Sequence, residues 1–131
     1  MALGLAAAIA QSVLDSLCRA VAWTPPAAFY IKLHTADPGP AGALAAFGDT
    51  TRKLATFAAA AADGTITTSA DINWTNVSAA GTVSHVSFWS ALTAGSFLGS
   101  DDLATPRTLA IGDNFTILTG DVDLSLTPIA A

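Results

Sequence analysis

The amino-acid sequence predicts a mainly β fold, in which an N-terminal α-helix precedes an antiparallel β-sandwich or barrel-like domain. Three observations support this prediction. Apolar residues recur every four positions near the N-terminus and every two positions after Ala27. Turn-forming sequences interrupt the second region at short intervals. All ten acidic side chains are Asp, which suits turns and caps better than helix interiors.

The first element is a helix predicted over residues 3–22. Its apolar face has a spacing of four and consists of Leu5, Ile9, Val13, Leu17 and Val21, with Leu14 beside it. Asp15 and Arg19 fall on another face and can form an ion pair. The helix must end before Pro25, because proline disfavours helical geometry in the preceding residue. We therefore assign residues 1–24 to a helical unit and residues 27–131 to the β-domain.

The β-domain is predicted from alternating apolar and polar residues. Its first strand runs from Phe29 to His34, and a loop over 37–50 follows, opening with a type II turn centred on Pro38 and Gly39. Further strands are predicted at 52–60, 64–68, 71–77, 82–90, 95–99, 107–111, 114–119 and 121–127. The irregular 82–90 segment is expected to be covered on both faces or bulged. The predicted core comprises Phe29, Ile31, Leu33, Ile72, Trp74, Phe88, Phe115, Ile117, Leu124 and Leu126.

The composition indicates a protein whose surface is partly buried by partners. Apolar residues make up 52% and charged residues only 11%, against roughly 25% charged in an average domain. The net charge of −5 and the absence of a basic stripe argue against nucleic-acid binding. Residues 1–22 lack the basic start of a signal peptide, and polar side chains interrupt them, so we expect no membrane span. Cys18 is expected to be a buried helix residue.

The sequence offers little catalytic chemistry, and we expect no enzyme, no cofactor and no bound metal. His34 and His85 could join a Ser-His-Asp arrangement, but we expect His34 to face solvent and His85 to be hydrogen-bonded among aromatic residues. The pairs Asp101-Asp102 and Asp121-x-Asp123 could ligate calcium, although they lack the spacing of a calcium loop. The three tryptophans could bind a sugar, but core or interface packing is the simpler interpretation.

The helix is the main functional candidate. Its apolar stripe could pack on its own domain, or helices from several copies could pack together. The low charge of the chain favours the second interpretation. The predicted oligomer interface consists of Leu5, Ile9, Val13, Leu17, Val21 and Trp23.

Residues 29–42 and residues 81–128 are the two stretches that resemble a family of small virion proteins from phages of actinobacteria. The sequence FYIKLHTADPGPAG at 29–42 is similar to their Leu-His-Thr-x-Asp-Pro-Gly segment. Residues 81–128 are similar to their C-terminal half, with His85, Trp89 and Ser90 on one strand, a Gly112-Asp113-Asn114-Phe115 turn, and a closing strand from Gly120 to Leu126. The two stretches cover 62 of the 131 residues, about half of the chain.

The resemblance implies a structural protein of the virion without catalytic residues. Members of the family are described as minor tail proteins, tail or head fibre proteins, or capsid decoration proteins. The leading hypothesis is a homotrimeric capsid decoration protein that binds the phage major capsid protein on the capsid surface, after assembly in the host cytoplasm. The alternative is a minor tail or fibre-tip protein, bound to tail proteins, with a receptor- or sugar-binding role. A hydrolase on a β-scaffold is the third hypothesis.

Overall fold

The structure is a computed structural model that describes residues 4–126. It confirms a mainly β fold with one N-terminal helix and antiparallel strand pairing throughout. The elements are β1 (Gly4–Leu5), α1 (Ala7–Arg19), β2 (Phe29–His34), β3 (Lys53–Ala55), β4 (Thr65–Thr67), β5 (Ile72–Trp74), β6 (Gly81–Trp89), β7 (Phe97–Leu109), β8 (Phe115–Ile117) and β9 (Asp123–Ser125).

The strands form one large sheet and two small ones. The large sheet has five strands in the order β1-β7-β6-β2-β3, and the pairs β4-β9 and β5-β8 form the small sheets. One face of the large sheet and the inner faces of both pairs enclose a common core, which includes Ile31, Trp74, Phe88, Phe115 and Ile117. The arrangement is therefore sandwich-like, with the sheets left open at their edges.

The helix is shorter than the sequence predicts. Gly4 and Leu5 form strand β1 beside β7, so that Leu5 lies opposite Gly99. Gly4 has a φ of 115°, a conformation that favours glycine. A side chain at Gly99 would collide with the Gly4 carbonyl oxygen, so this glycine permits the close approach of β1. At the other end, Ala20 adopts a left-handed conformation and its N–H bonds to the Asp15 carbonyl oxygen, which closes the helix well before Pro25.

Most of the predicted core is buried. The buried members are Ile31, Leu33, Ile72, Trp74, Phe88, Phe115 and Ile117, and Phe29 and Leu124 pack partly against them. The prediction for Leu126 is wrong, since 58% of its surface is exposed. Strand β9 ends at Ser125 and pairs only with β4, so Leu126 lies beyond the core, which Val122 fills instead.

The predicted irregularity in the 82–90 segment is confirmed as a bulge between β6 and β7. Val83 pairs with Arg107, whereas His85 pairs with Asp102. Residues 103–106 of β7 therefore stand opposite the single residue Ser84. The predicted strands at 95–99 and 107–111 belong to one long strand, β7, which this bulge bends.

The 37–50 loop folds back onto the large sheet. Gly39 has the positive φ of 75° that its place in the predicted turn requires. The returning segment pairs with the end of β2 through the bridge between His34 and Ala46, and Phe47 enters the core. Gly42 lies against the Phe97 ring with no room for a side chain. The loop therefore covers part of the sheet face that points away from the core.

Candidate assembly surfaces

Helix α1 is only partly supported by its own domain. Its first half rests on the β-domain, because Ile9 packs against the core and Val13 is half-buried. Its second half stands clear: Leu14 is 59% exposed, Leu17 is 79% exposed and Val21, just after the helix, is 44% exposed. No residue of α1 is buried. The helix thus presents apolar side chains to solvent along half its length.

The exposed side chains form one continuous surface. Leu14, Leu17 and Cys18 have the spacing i, i+3, i+4, which places them on one face of α1, and the exposed Val21 follows just beyond the end of the helix. We call this face the outer stripe. The prediction that Cys18 is buried is wrong, because its own domain does not cover this face. The predicted ion pair between Arg19 and Asp15 is present at 3.1 Å on the polar side of the helix.

The structure separates the six side chains that the sequence assigns to an oligomer interface. Leu5 lies in β1 and is not part of the helical stripe, which corrects its place in the pattern. Ile9 and Val13 contact the chain's own β-domain or lie close to it. Leu17 and Val21 remain exposed, while Trp23 is half-buried in the segment that leads to β2. Own-domain packing therefore holds for the first half of the helix, whereas the second half is exposed to solvent.

The exposed apolar area of the outer stripe limits the free energy that an interface at this surface could contribute. Complete burial of a Leu or Val side chain contributes ~1.5–3 kcal/mol. Scaled by the exposed fractions of Leu14, Leu17 and Val21, the stripe offers roughly 3–5 kcal/mol per copy. Association costs ~4–15 kcal/mol. The stripe can therefore drive assembly only when it is well covered, and further contacts would help.

His34 lies inside the protein, which corrects the prediction that it faces solvent. Its Nδ1 is 2.8 Å from the Leu44 carbonyl oxygen and its Nε2 is 2.7 Å from Ser87 Oγ. A carbonyl oxygen only accepts, so Nδ1 carries the proton and the Ser87 hydroxyl donates to Nε2. Trp89 Nε1 donates to the same hydroxyl oxygen. Burial lowers the pKa of His34, which keeps the ring neutral while it fastens the 37–50 loop to the sheet.

Neither histidine forms a catalytic triad in the part of the chain that the structure describes. His34 and Ser87 are hydrogen-bonded, but both are fully buried, and a backbone carbonyl takes the place that a carboxylate would occupy. His85 is hydrogen-bonded, as expected, through Nδ1 to Ser84 Oγ. The Ser84 hydroxyl itself donates to the Thr35 carbonyl oxygen, so it accepts the bond from His85. Both pairs work as structural links.

Two of the three tryptophans have defined packing roles. Trp74 is a core residue whose Nε1 donates to the Thr51 carbonyl oxygen at 2.8 Å. Trp89 is half-buried, and the Arg52 guanidinium lies 4.2 Å above its ring. Arg52 Nη1 also donates to the carbonyl oxygens of Ala91 and Ala94, at 2.8 and 2.6 Å. The arginine thereby ties the 90–96 loop to the segment before β3.

With this arrangement established, the comparisons with known proteins identify the family. The family model described as Podophage GP4 fiber I protein gp80 matches residues 4–125, which include every helix and strand described above. The chain belongs to this family. It is therefore a structural protein of a phage virion, of the fibre type, as the resemblance implied at that level. No curated protein matches the chain.

Three of the ten aspartates of this fibre-family protein, Asp101, Asp102 and Asp123, lie on β7 and β9. Asp101 is half-buried, and its pKa is raised from 3.8 to about 6 by burial and by the charges of Asp123 and Asp102.

Across residues 4–126, no group of three or more His, Cys, Asp or Glu side chains is placed to hold a metal ion. In the same range, no helix is long and apolar enough to span a bilayer.

A pocket lies where the β7 bulge faces β8. It has a volume of about 430 Å³, and its lining includes Leu103, Arg107, Asn114, Phe115 and Asp121. Sequence reasoning missed it, because the spacing of residues along the chain does not show how the 103–107 and 114–121 segments lie against each other. Leu103 and Phe115 in its lining are buried, whereas Arg107, Asn114 and Asp121 are exposed.

Proposed function

We propose that the protein is a fibre subunit that assembles with copies of itself through the outer stripe of α1. The observation that carries the proposal is the exposure of Leu14, Leu17 and Val21 in a chain with only 11% charged residues. An isolated helix as short as α1 is marginal in water, so packing against neighbours would also stabilise the helix itself. The protein acts by binding, without catalysis or a cofactor.

A homotrimer is the simplest assembly. Leu14, Leu17 and Cys18 span about 100° of the helix circumference, which is wider than the seam of a two-stranded coiled coil. Two neighbouring helices cover such a stripe better than one does. A closed ring of identical contacts also prevents open-ended association through this surface.

Charge placed in the outer stripe tests the proposal. Leu17→Asp puts a carboxylate where neighbouring helices would meet. It should raise the dissociation constant of the oligomer at least tenfold. Ser16→Asp is the matched control, since Ser16 is exposed on the opposite side of the same helix. Sedimentation velocity over a range of concentrations measures the mass, and circular dichroism checks the fold. A monomeric wild type, or equal dissociation by both variants, would reject the proposal.

The position on the particle has two candidates. The fibre family favours a tail or fibre location, bound to other tail proteins. Capsid decoration, with the major capsid protein as partner, is favoured by the compact single core and the lack of a sequence repeat. Electron cryomicroscopy of the parent particle, with the protein located by antibody fragments, distinguishes a fibre from the shell surface. The actinobacterial host stays a prediction.

A receptor-binding role is the further candidate at a fibre tip, and the pocket beside β8 supports it. Arg107, Asn114 and Asp121 provide hydrogen-bond donors and acceptors above an apolar floor, as recognition of a sugar requires. A screen of host surface glycans with wild-type protein and Arg107→Ala tests this role. Binding that the variant loses would support it, and no binding by the wild type would exclude it.

A further inference from the structure

The face of the large sheet that points away from the core, which we call the distal face, carries two cations side by side. The register pairs the core residue Ile31 with Lys53, and continuing it by one residue places Arg52 opposite Lys32. Successive residues of a strand alternate between faces, so Lys32 and Arg52 share the distal face, whereas Lys53 belongs to the core face. Like charges directly opposite each other across two strands destabilise a sheet. The pair of cations is therefore unfavourable in the free protein.

The described part of the chain provides no carboxylate that neutralises this pair. The only ion pair among residues 4–126 lies on helix α1. Asp49 is close to Arg52 in sequence, but both of its carboxylate oxygens accept backbone N–H groups. The register places Asp102 on the distal face of β7, two strand spacings or ~10 Å from β2. Burial and the charge of Arg52 lower the pKa of Lys32, as expected for a cation without an anionic neighbour.

The Arg52 guanidinium is held in place with part of its hydrogen-bonding capacity unused. It lies 4.2 Å above the Trp89 ring, and its Nη1 donates to the carbonyl oxygens of Ala91 and Ala94. Its Nε and Nη2 donate to no acceptor within the part of the chain that the structure describes. Parallel N–H groups of a guanidinium match the two oxygens of a carboxylate. A donor that is fixed in advance loses little conformational entropy on binding.

Apolar surface lies beside the two cations on the same face. Tyr30 pairs with Leu54 on one side and with Trp89 on the other, so their side chains form a row across β3, β2 and β6. Leu54 is exposed, and Tyr30 is half-buried. Binding sites for small molecules combine such aromatic and apolar surface with a few placed polar groups. A sugar ring has apolar C–H groups that suit this row, and an acidic sugar also has the anion that the cations lack.

We propose that Lys32, Arg52 and Tyr30 form a binding site for a carboxylate-bearing saccharide, such as a hexuronate unit of a polysaccharide on the host surface. Arg52 Nε and Nη2 bind the two carboxylate oxygens, and Lys32 adds the second positive charge. The sugar ring packs on Tyr30 and Leu54. The site is separate from the pocket beside β8, which residues between 103 and 121 line. It lies within one chain and does not depend on assembly through the outer stripe.

Trigalacturonate and its methyl ester test the requirement for charge. Isothermal titration calorimetry at low ionic strength should show binding of trigalacturonate that weakens as salt is added. The methyl ester keeps the sugar but not the charge, and should bind roughly tenfold more weakly or worse. Lys32→Glu places a carboxylate opposite Arg52 and should abolish binding of trigalacturonate. Lys53→Glu is the matched control, because it changes the net charge equally on the core face of the same strand pair and should leave the affinity nearly unchanged.

Each result supports or overturns the proposal. Leu17→Asp should bind trigalacturonate as the wild type does, so the saccharide site and the outer stripe fail independently. No binding by the wild type at millimolar concentration, equal binding of the methyl ester, or equal losses in Lys32→Glu and Lys53→Glu would overturn the proposal. So would inorganic phosphate that binds as tightly as trigalacturonate, because the sugar would then contribute nothing. Thermal unfolding checks the fold of every variant; if either charge reversal does not fold, Lys32→Gln and Lys53→Gln make the same comparison.

Discussion

The half-buried carboxyl group of Asp101 should make the protein less stable as the pH rises. Its pKa in the folded protein is about 6, raised from 3.8, so folding favours the protonated form. A raised pKa contributes stability that is fully present below pH 3.8 and is lost as the pH passes 6. The full shift corresponds to ~3 kcal/mol, and solvent screening of a half-exposed group reduces this to roughly 1–2 kcal/mol.

Asp101→Asn removes this penalty. The Asn oxygen can still accept the bond that the Asp102 N–H donates to Asp101 Oδ1 at 2.9 Å. The free energy of unfolding at neutral pH should therefore rise by roughly 1–2 kcal/mol, and the melting temperature by about 4–8 °C. Asp123→Asn removes one like charge but leaves the burial, which is the larger cause, so its effect should be smaller.

Urea unfolding followed by tryptophan fluorescence, at one protein concentration and several pH values, measures both variants. Wild type should lose stability between pH 4 and pH 7 relative to Asp101→Asn, and the two curves should converge at low pH. Equal or lower stability of Asp101→Asn at neutral pH, with an unchanged pH profile, would refute the reasoning.

Two further substitutions probe how the loop and the helix are held. His34→Ala removes the hydrogen bonds to Leu44 and Ser87 and should lower the free energy of unfolding by roughly 2–4 kcal/mol. Because burial lowers the His34 pKa, the wild type should also lose stability as the pH falls below 6.5. The variant should lack this loss when urea unfolding of the two proteins is compared. Gly99→Ala should displace β1, so that α1 exchanges its amide hydrogens faster while the core strands stay protected; unchanged exchange in α1 would contradict the role of this glycine.

Local patterns predicted much of the β-domain correctly. Alternation placed Ile31, Leu33 and Ile117 in the core, because a strand with one covered face shows a period of two in its own sequence. The break in that period near His85 indicated the bulge for the same reason. The resemblance of two stretches to virion proteins predicted a structural protein of a phage virion. The match to the fibre family confirms that prediction.

The sequence predicted which helix residues share a face, but not which of them are exposed. The spacing of Leu14, Leu17 and Cys18 places them on one helix face, but it cannot tell whether the chain's own domain covers that face. The first half of the helix is covered and the second is not, since β1 anchors only the start of α1.

The sequence by itself determined the fold class, the alternating strands, the ion pair on the helix and the low proportion of charged residues. Each of these features depends on residue type, or on spacing within a few helical turns or one strand. Only the tertiary structure decided that His34 is buried, that Leu5 leaves the helix for a strand and that Leu126 lies outside the core. Each of these depends on a long-range contact: a loop returning over β2, a glycine opposite β1, and the pairing of β9 with β4, which ends at Ser125.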